Sequence, residues 1–206
     1  MEINALPKNE KARRYELFAL GLREFAGLKS DERRLEPETL ARFAGLLVVS
    51  FEQIAPSLSS EARERLTGAG KNDWSGGACS QVLPNGKKLI ILNPQHSKTR
   101  QKATLMEEIS HVFMGHKPSR LAVATKSKDG ILRARDYHAE IEEEAYTIGT
   151  AALVPYSALL RFVQVGRTAG EIARHFDVSR ALVEFRMKIC GIWANYLEIQ
   201  GIKITI

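Results

Sequence analysis

The run from Thr104 to His116, TLMEEISHVFMGH, sets two adjacent carboxylates, Glu107 and Glu108, four and three residues ahead of an imidazole, His111. On a helix, residues four apart share a face, so Glu107 and His111 point together with Glu108 beside them. HExxH helices use this geometry to place two ligands on one metal and to leave the intervening Glu as general base for metal-bound water. Here the pattern is EExxH, and Glu107 stands where the first His belongs. EExxH alone also occurs on solvated helix faces. This one is set among Leu105, Met106, Ile109, Val112, Phe113 and Met114. Carboxylates and an imidazole in apolar company require a partner, whether metal, cation or water.

A second run, HAEIEEEAYTIGTAALVP, supplies one candidate. Glu142 lies on a stripe with Ala145, Gly149 and Ala152, spaced by threes and fours, and small residues there let two helices approach closely. His138 sits one turn before Glu142 on the same side, whereas Glu143 and Glu144 are expected to face solvent. His116 follows His111 by five residues, beyond the helix end expected at Gly115. It and His138 are the candidate replacement ligands. Cys79, in GGACS, has no His or Asp tied to it by spacing, and there is neither a P-loop nor a GxGxxG pattern.

The elements that must position these groups are legible from hydrophobic period and punctuation. Tyr15, Leu17, Phe18, Leu20, Leu22 and Phe25 recur at helical spacing over about residues 7–25, with Gly27 as the stop. A second helix opens at Pro37 and ends at Gly45. The following LLVVSF run is rich in β-branched residues and reads as a buried strand. Residues 57–77 read as loop with one short helix. CSQVL and KKLIIL flank Pro84-Asn85-Gly86, a hairpin signal. Helices are expected over about 97–114 and 136–153, the second stopped by Pro155, with an extended excursion over 119–135 that turns at 128–130. TAGEIARHFDVSRALVEFRMKICG reads as two short helices joined at Asp177-Val178, followed by a strand-like IKITI tail. Helices and a small mixed sheet first, then mostly helices, give an α+β fold.

Taken together, RQKATLMEEISHVFMGH and EEEAYTIGTAALVP resemble the ImmA/IrrE family of zinc metallopeptidases, whose members show an arginine-led TLxHExxH helix and then an ExxAxxFAxxLLMP helix. Arg100, Thr104 and Leu105 match the first pattern; Glu142, Ala145 and Leu153-Val154-Pro155 match the second. LARFAGLLVV, WSGG…NGKKLIILNP and EIARHFDVS…R are similar to the family's helix-Gly-strand opening, hairpin and C-terminal helical part, so the likeness spans roughly residues 37–191. It implies a zincin-like core, with His111 and Glu142 as metal ligands, Glu108 as general base, and Glu107 in the place of the family's first His. A Glu107/His111/Glu142 set neutralises a divalent ion with two carboxylates, so its water is acidified less than at a His₂Glu site. The oxygen-rich set also admits Mn²⁺ or Fe²⁺ more readily beside Zn²⁺. A metal-free scaffold is the alternative. The implied partner is a protein, of which a helix-turn-helix repressor is the expected kind.

The divisions expected are an N-terminal helical extension over 1–35, a metallopeptidase-like core over 36–156, and a helical, helix-turn-helix-like part over 157–206. The chain has 206 residues, 44% hydrophobic and 26% charged, an ordinary globular composition. No apolar run approaches the ~20 residues of a membrane span, and no secretory leader is expected from MEINALPKNEKARRYELFAL. Cys79 and Cys190 stand far apart and fit reduced thiols in a cytoplasm. The net charge of +6 and pI of about 9.4 leave DNA open as a partner. On that reading Arg180 and Arg186 of the second short helix touch phosphate. Three functions are therefore carried forward: a metal-dependent endopeptidase, an inactive peptidase-like binding module, and a helix-turn-helix DNA-binding regulator.

Overall fold

The computed structural model describes residues 5–68, 71, 74–116 and 139–202; over 77–82 it describes the backbone alone. The expected excursion over 119–135, His138 and all but the first residue of the IKITI tail lie outside the described residues.

Helix α1 (Glu10–Phe25) starts at Asn9, whose side chain accepts from the Ala12 amide, and ends before Gly27 at φ 77°. Helix α2 (Pro37–Phe43) has its proline in the first turn, where a missing N–H costs nothing. Strand β1 (Leu46–Val49) is shorter than the LLVVSF run suggests. Ser50 accepts from the Gln53 amide while the Gln53 side chain accepts from the Ser50 amide. This reciprocal capping box turns Phe51 into the start of helix α3 (Phe51–Ile54) and overrides its strand propensity. Helix α4 (Ser60–Thr67) is the short helix expected in the following loop.

Strands β2 (Gly76–Val82) and β3 (Lys88–Leu92) form the hairpin. Its turn closes through Gly86 N–H to Leu83 O at 2.8 Å, with Gly86 at φ 76°. Only Gly86 of the Asn85-Gly86 pair takes the left-handed conformation. The sheet order is β1-β3-β2, with β1 parallel and β2 antiparallel to β3. The fold is α+β with a small mixed sheet, as the order of elements implies.

Helices α5 (Lys98–Phe113) and α6 (Ala139–Leu153) follow. Helices α7 (Tyr156–Gln164), α8 (Ala169–Phe176), α9 (Arg180–Ile189) and α10 (Trp193–Ile199) complete the described chain. The sequence reading assigned neither α7 nor α10. Pro155 both stops α6 and serves as the N-cap residue of α7 at φ −61°, so one proline marks two boundaries with nothing between them.

One hydrophobic core runs through all three expected segments, from Tyr15 and Ala19 through Leu40, Ile90, Leu105, Ile109 and Ile148 to Leu159, Phe176, Val183 and Tyr196. Its polar anchor is an ion pair of Glu16 on α1 and Arg186 on α9, at 2.6 Å and 1% and 2% exposed. The other Glu16 oxygen accepts from the Tyr156 amide, and Arg186 also donates to Val154 O. Arg186 is therefore unavailable for phosphate, contrary to the DNA-contact expectation. Arg180 is exposed and paired with Glu184 at 2.6 Å. The α8–α9 joint turns at Asp177, φ 55°, whose carboxylate pairs with Lys102 of α5.

Candidate metal centre

Helix α5 is fixed at its start before it reaches the site. The Ser97 hydroxyl accepts from the Arg100 amide, and the Gln101 side chain donates to Asn93 O. Asn93, fully buried, donates to the carbonyls of Lys71 and Trp74. Gly76 of β2 lies so close that a Cβ there would come within 2.7 Å of Thr104 Cγ2. Hairpin and helix are thereby held at one spacing.

The site is where α5 crosses α6. Gly149 makes that crossing close: a Cβ would sit 3.0 Å from the carbonyl carbon and oxygen of Met106 and 3.2 Å from the Glu107 amide nitrogen. The small-residue stripe does what its spacing implies. About two turns upstream on α6, Glu142 is brought to α5, with its Oε2 3.4 Å from His111 Nε2. One oxygen each of Glu107 and Glu142 and one ring nitrogen of His111 lie within 4.8 Å of one another. All three residues are partly buried. Glu108, also partly buried, is one residue around the helix and outside this convergent trio.

The donor set fits a divalent cation. Two carboxylate oxygens and one imidazole nitrogen are hard-to-borderline ligands suited to Zn²⁺, Mn²⁺ or Fe²⁺. A tetrahedral ion with ligand bonds of ~2.1 Å needs ligand atoms roughly 3.4 Å apart, which matches the His111–Glu142 separation. Burial pushes the His111 imidazole below its ordinary range, against the pull of Glu142, and His116 pushes the same way. His111 is thus biased to the neutral form that a metal requires.

His116 does curl back. Its Nδ1 lies 3.0 Å from His111 Nδ1, with the rings edge to face, and its Nε2 lies 3.2 Å from Glu144 Oε2. It touches His111 and is not one of the convergent trio. Glu144 corrects an expectation: it is only 18% exposed, and its Oε1 accepts from Arg14 at 3.0 Å. Glu143 does face outward, paired with Lys11 of α1. Helix periodicity places Glu144 off the Glu142 stripe, but the neighbour that covers it, α1, is not visible from α6 alone. Tyr146 follows Glu142 by one turn, its ring against Phe185 of α9. Burial first, then the Glu107 charge, pushes its phenol above the usual range, so it remains a hydrogen-bond donor at neutral pH.

Comparison with known families bears on this arrangement. The family model for the IrrE N-terminal-like domain (Peptidase_M78) matches residues 67–188, more than half of the chain, and the match contains Glu107, Glu108, His111 and Glu142. No curated protein and no solved structure matches the chain.

Proposed function

This chain belongs to the IrrE N-terminal-like peptidase family, and from that premise we propose that it is a metal-dependent endopeptidase with Glu107, His111 and Glu142 as ligands and Glu108 as general base. The observation that carries the reading is the convergence of the two carboxylate oxygens and the His111 nitrogen from two different helices. Zinc is the first choice of metal, with Mn²⁺ and Fe²⁺ also suited to the oxygen-rich set.

A divalent ion in this trio supplies a Lewis acid that acidifies water and polarises a carbonyl oxygen. Glu108 takes the proton of the attacking water and hands it to the departing amine. Its place next to Glu107 on α5 keeps it near the trio without joining it. The apolar surroundings of α5, with Leu105, Met106 and Ile109 fully buried, lower the local dielectric and strengthen each of these interactions.

The substrate of such a site is a polypeptide, and the family resemblance favours a helix-turn-helix repressor in the cytoplasm. The DNA-binding reading loses support from the burial of Arg186 and the pairing of Arg180. Among the described residues no helix is long and apolar enough to cross a membrane. The test is Glu108→Gln in the presence of a co-expressed partner repressor: metal content stays at the wild-type level and cleavage drops by at least ~100-fold. Cleavage retained by that variant overturns the base assignment, and no cleavage by either protein leaves the inactive binding module.

A further inference from the structure

We propose that His116, Glu144 and Arg14 form a positioning chain that locks His111 in the Nδ1–H tautomer, leaving Nε2 bare for a metal. This inference rests on the reading of His111 as a ligand, but its test does not need the metal.

Glu144 is a carboxylate held by Arg14, at 3.0 Å, and it can only accept. His116 Nε2 lies 3.2 Å from the other Glu144 oxygen, so that nitrogen carries the hydrogen. A neutral imidazole has one N–H, which makes His116 Nδ1 an acceptor. Its partner at 3.0 Å, His111 Nδ1, must then donate. His111 Nε2 is left with a lone pair, 3.4 Å from Glu142 Oε2. In that tautomer the Nε2 lone pair and the Glu142 oxygen can both turn to one cation.

For a neutral His116 the reverse assignment fails at the far end. If His111 Nε2–H donated to Glu142, its Nδ1 would have to receive a hydrogen from His116 Nδ1. His116 Nε2 would then turn a lone pair on the Glu144 carboxylate, with the two side chains only 10% and 18% exposed. Water is largely excluded there, and an unpaired acceptor contact of this kind costs ~1–3 kcal/mol. The chain also reaches an element outside the matched family segment, since Arg14 lies on α1. An N-terminal helix thereby sets the ligand state of an imidazole on α5. Orienting partners of metal-bound His act in the same way in general, and losing one typically costs 10–100-fold in metal affinity.

The experiment is long-range ¹H–¹⁵N correlation spectroscopy of the full chain, metal-free, with ¹⁵N-labelled histidine at about pH 8, above the ~6.5 of an unperturbed imidazole. Wild type should show His111 as Nδ1–H and His116 as Nε2–H. His116→Ala should move His111 towards Nε2–H and weaken zinc binding by ~10–100-fold. His116→Gln, whose amide oxygen can accept from His111, should restore part of both. Wild-type His111 in the Nε2–H form overturns the proposal, as does an unchanged tautomer in His116→Ala. Because the tautomer is read without metal, failure to bind zinc with the Nδ1–H form intact sinks the ligand reading alone.

Discussion

On the proposed reading, Glu107 decides the chemistry of this site. It replaces the neutral imidazole of an HExxH helix by an anion, so the trio carries two negative charges around one imidazole. A divalent ion is then electrically neutralised by its ligands, which favours harder metals and leaves bound water less acidic than at a His₂Glu centre. Glu107→His should therefore tighten zinc binding by on the order of tenfold, or ~1.4 kcal/mol, read by competition with a chromogenic chelator. An unchanged Kd would place Glu107 outside the coordination sphere. At this scale the sequence exposed residue types and spacing: Glu107, His111 and Glu142, which converge, are all legible from helical period and small-residue spacing. It did not expose Glu144, His116 and Arg14 as a connected set, because each bond crosses between elements far apart in the chain. Spacing along one helix says which way a side chain leaves it, and nothing about what it meets.

At the scale of elements, the α5–α6 crossing is the device that builds the centre, and Gly149 sets its distance. The atoms facing a Cβ at Gly149 are backbone atoms of Met106 and Glu107, which cannot rotate aside. Gly149→Ala should push the helices apart, cost ~1–3 kcal/mol of stability, and weaken metal binding along with it. Thermal melts and metal titration of one sample check both, and a variant as stable and as tight as wild type would contradict the close crossing. The small-residue stripe announced this contact, and Asn85-Gly86 announced the hairpin. What escaped was decided by local polar chemistry overriding propensity. The Ser50–Gln53 capping box cut the LLVVSF strand short, and Pro155 started α7 in the act of stopping α6. Helix α10 lacked an N-terminal side-chain cap to mark its start.

At the scale of the whole molecule, α1 is built into the core through the buried Glu16–Arg186 pair and through Arg23, which donates to Ala152 O on α6. A second tie is Asp31, which accepts from the Ser157 hydroxyl and from Arg161 of α7. Burial raises the Asp31 pKa, but the bonds from Arg161 and Ser157 and the charges of Arg161 and Arg23 outweigh it, and the carboxyl ends below its ordinary range. A depressed carboxylate pKa stabilises the fold above its unfolded value of ~3.9, and that stability is lost as pH falls through the folded value. The stability gap between wild type and Asp31→Asn should thus be full at neutral pH and shrink below about pH 4, as followed by denaturant melts. A gap independent of pH would remove the linkage. The overall class, α+β with a helical end, was legible from element order, whereas the joining of segments by buried ion pairs was not, since Glu16 and Arg186 lie on helices distant in sequence. The proposed centre holds one divalent ion per chain. Metal analysis with isothermal titration of zinc, manganese and iron(II) into metal-free protein should give a single site per chain, abolished by His111→Ala and by Glu142→Ala. A wild-type chain that binds none of the three, or variants that bind as tightly as wild type, would contradict it.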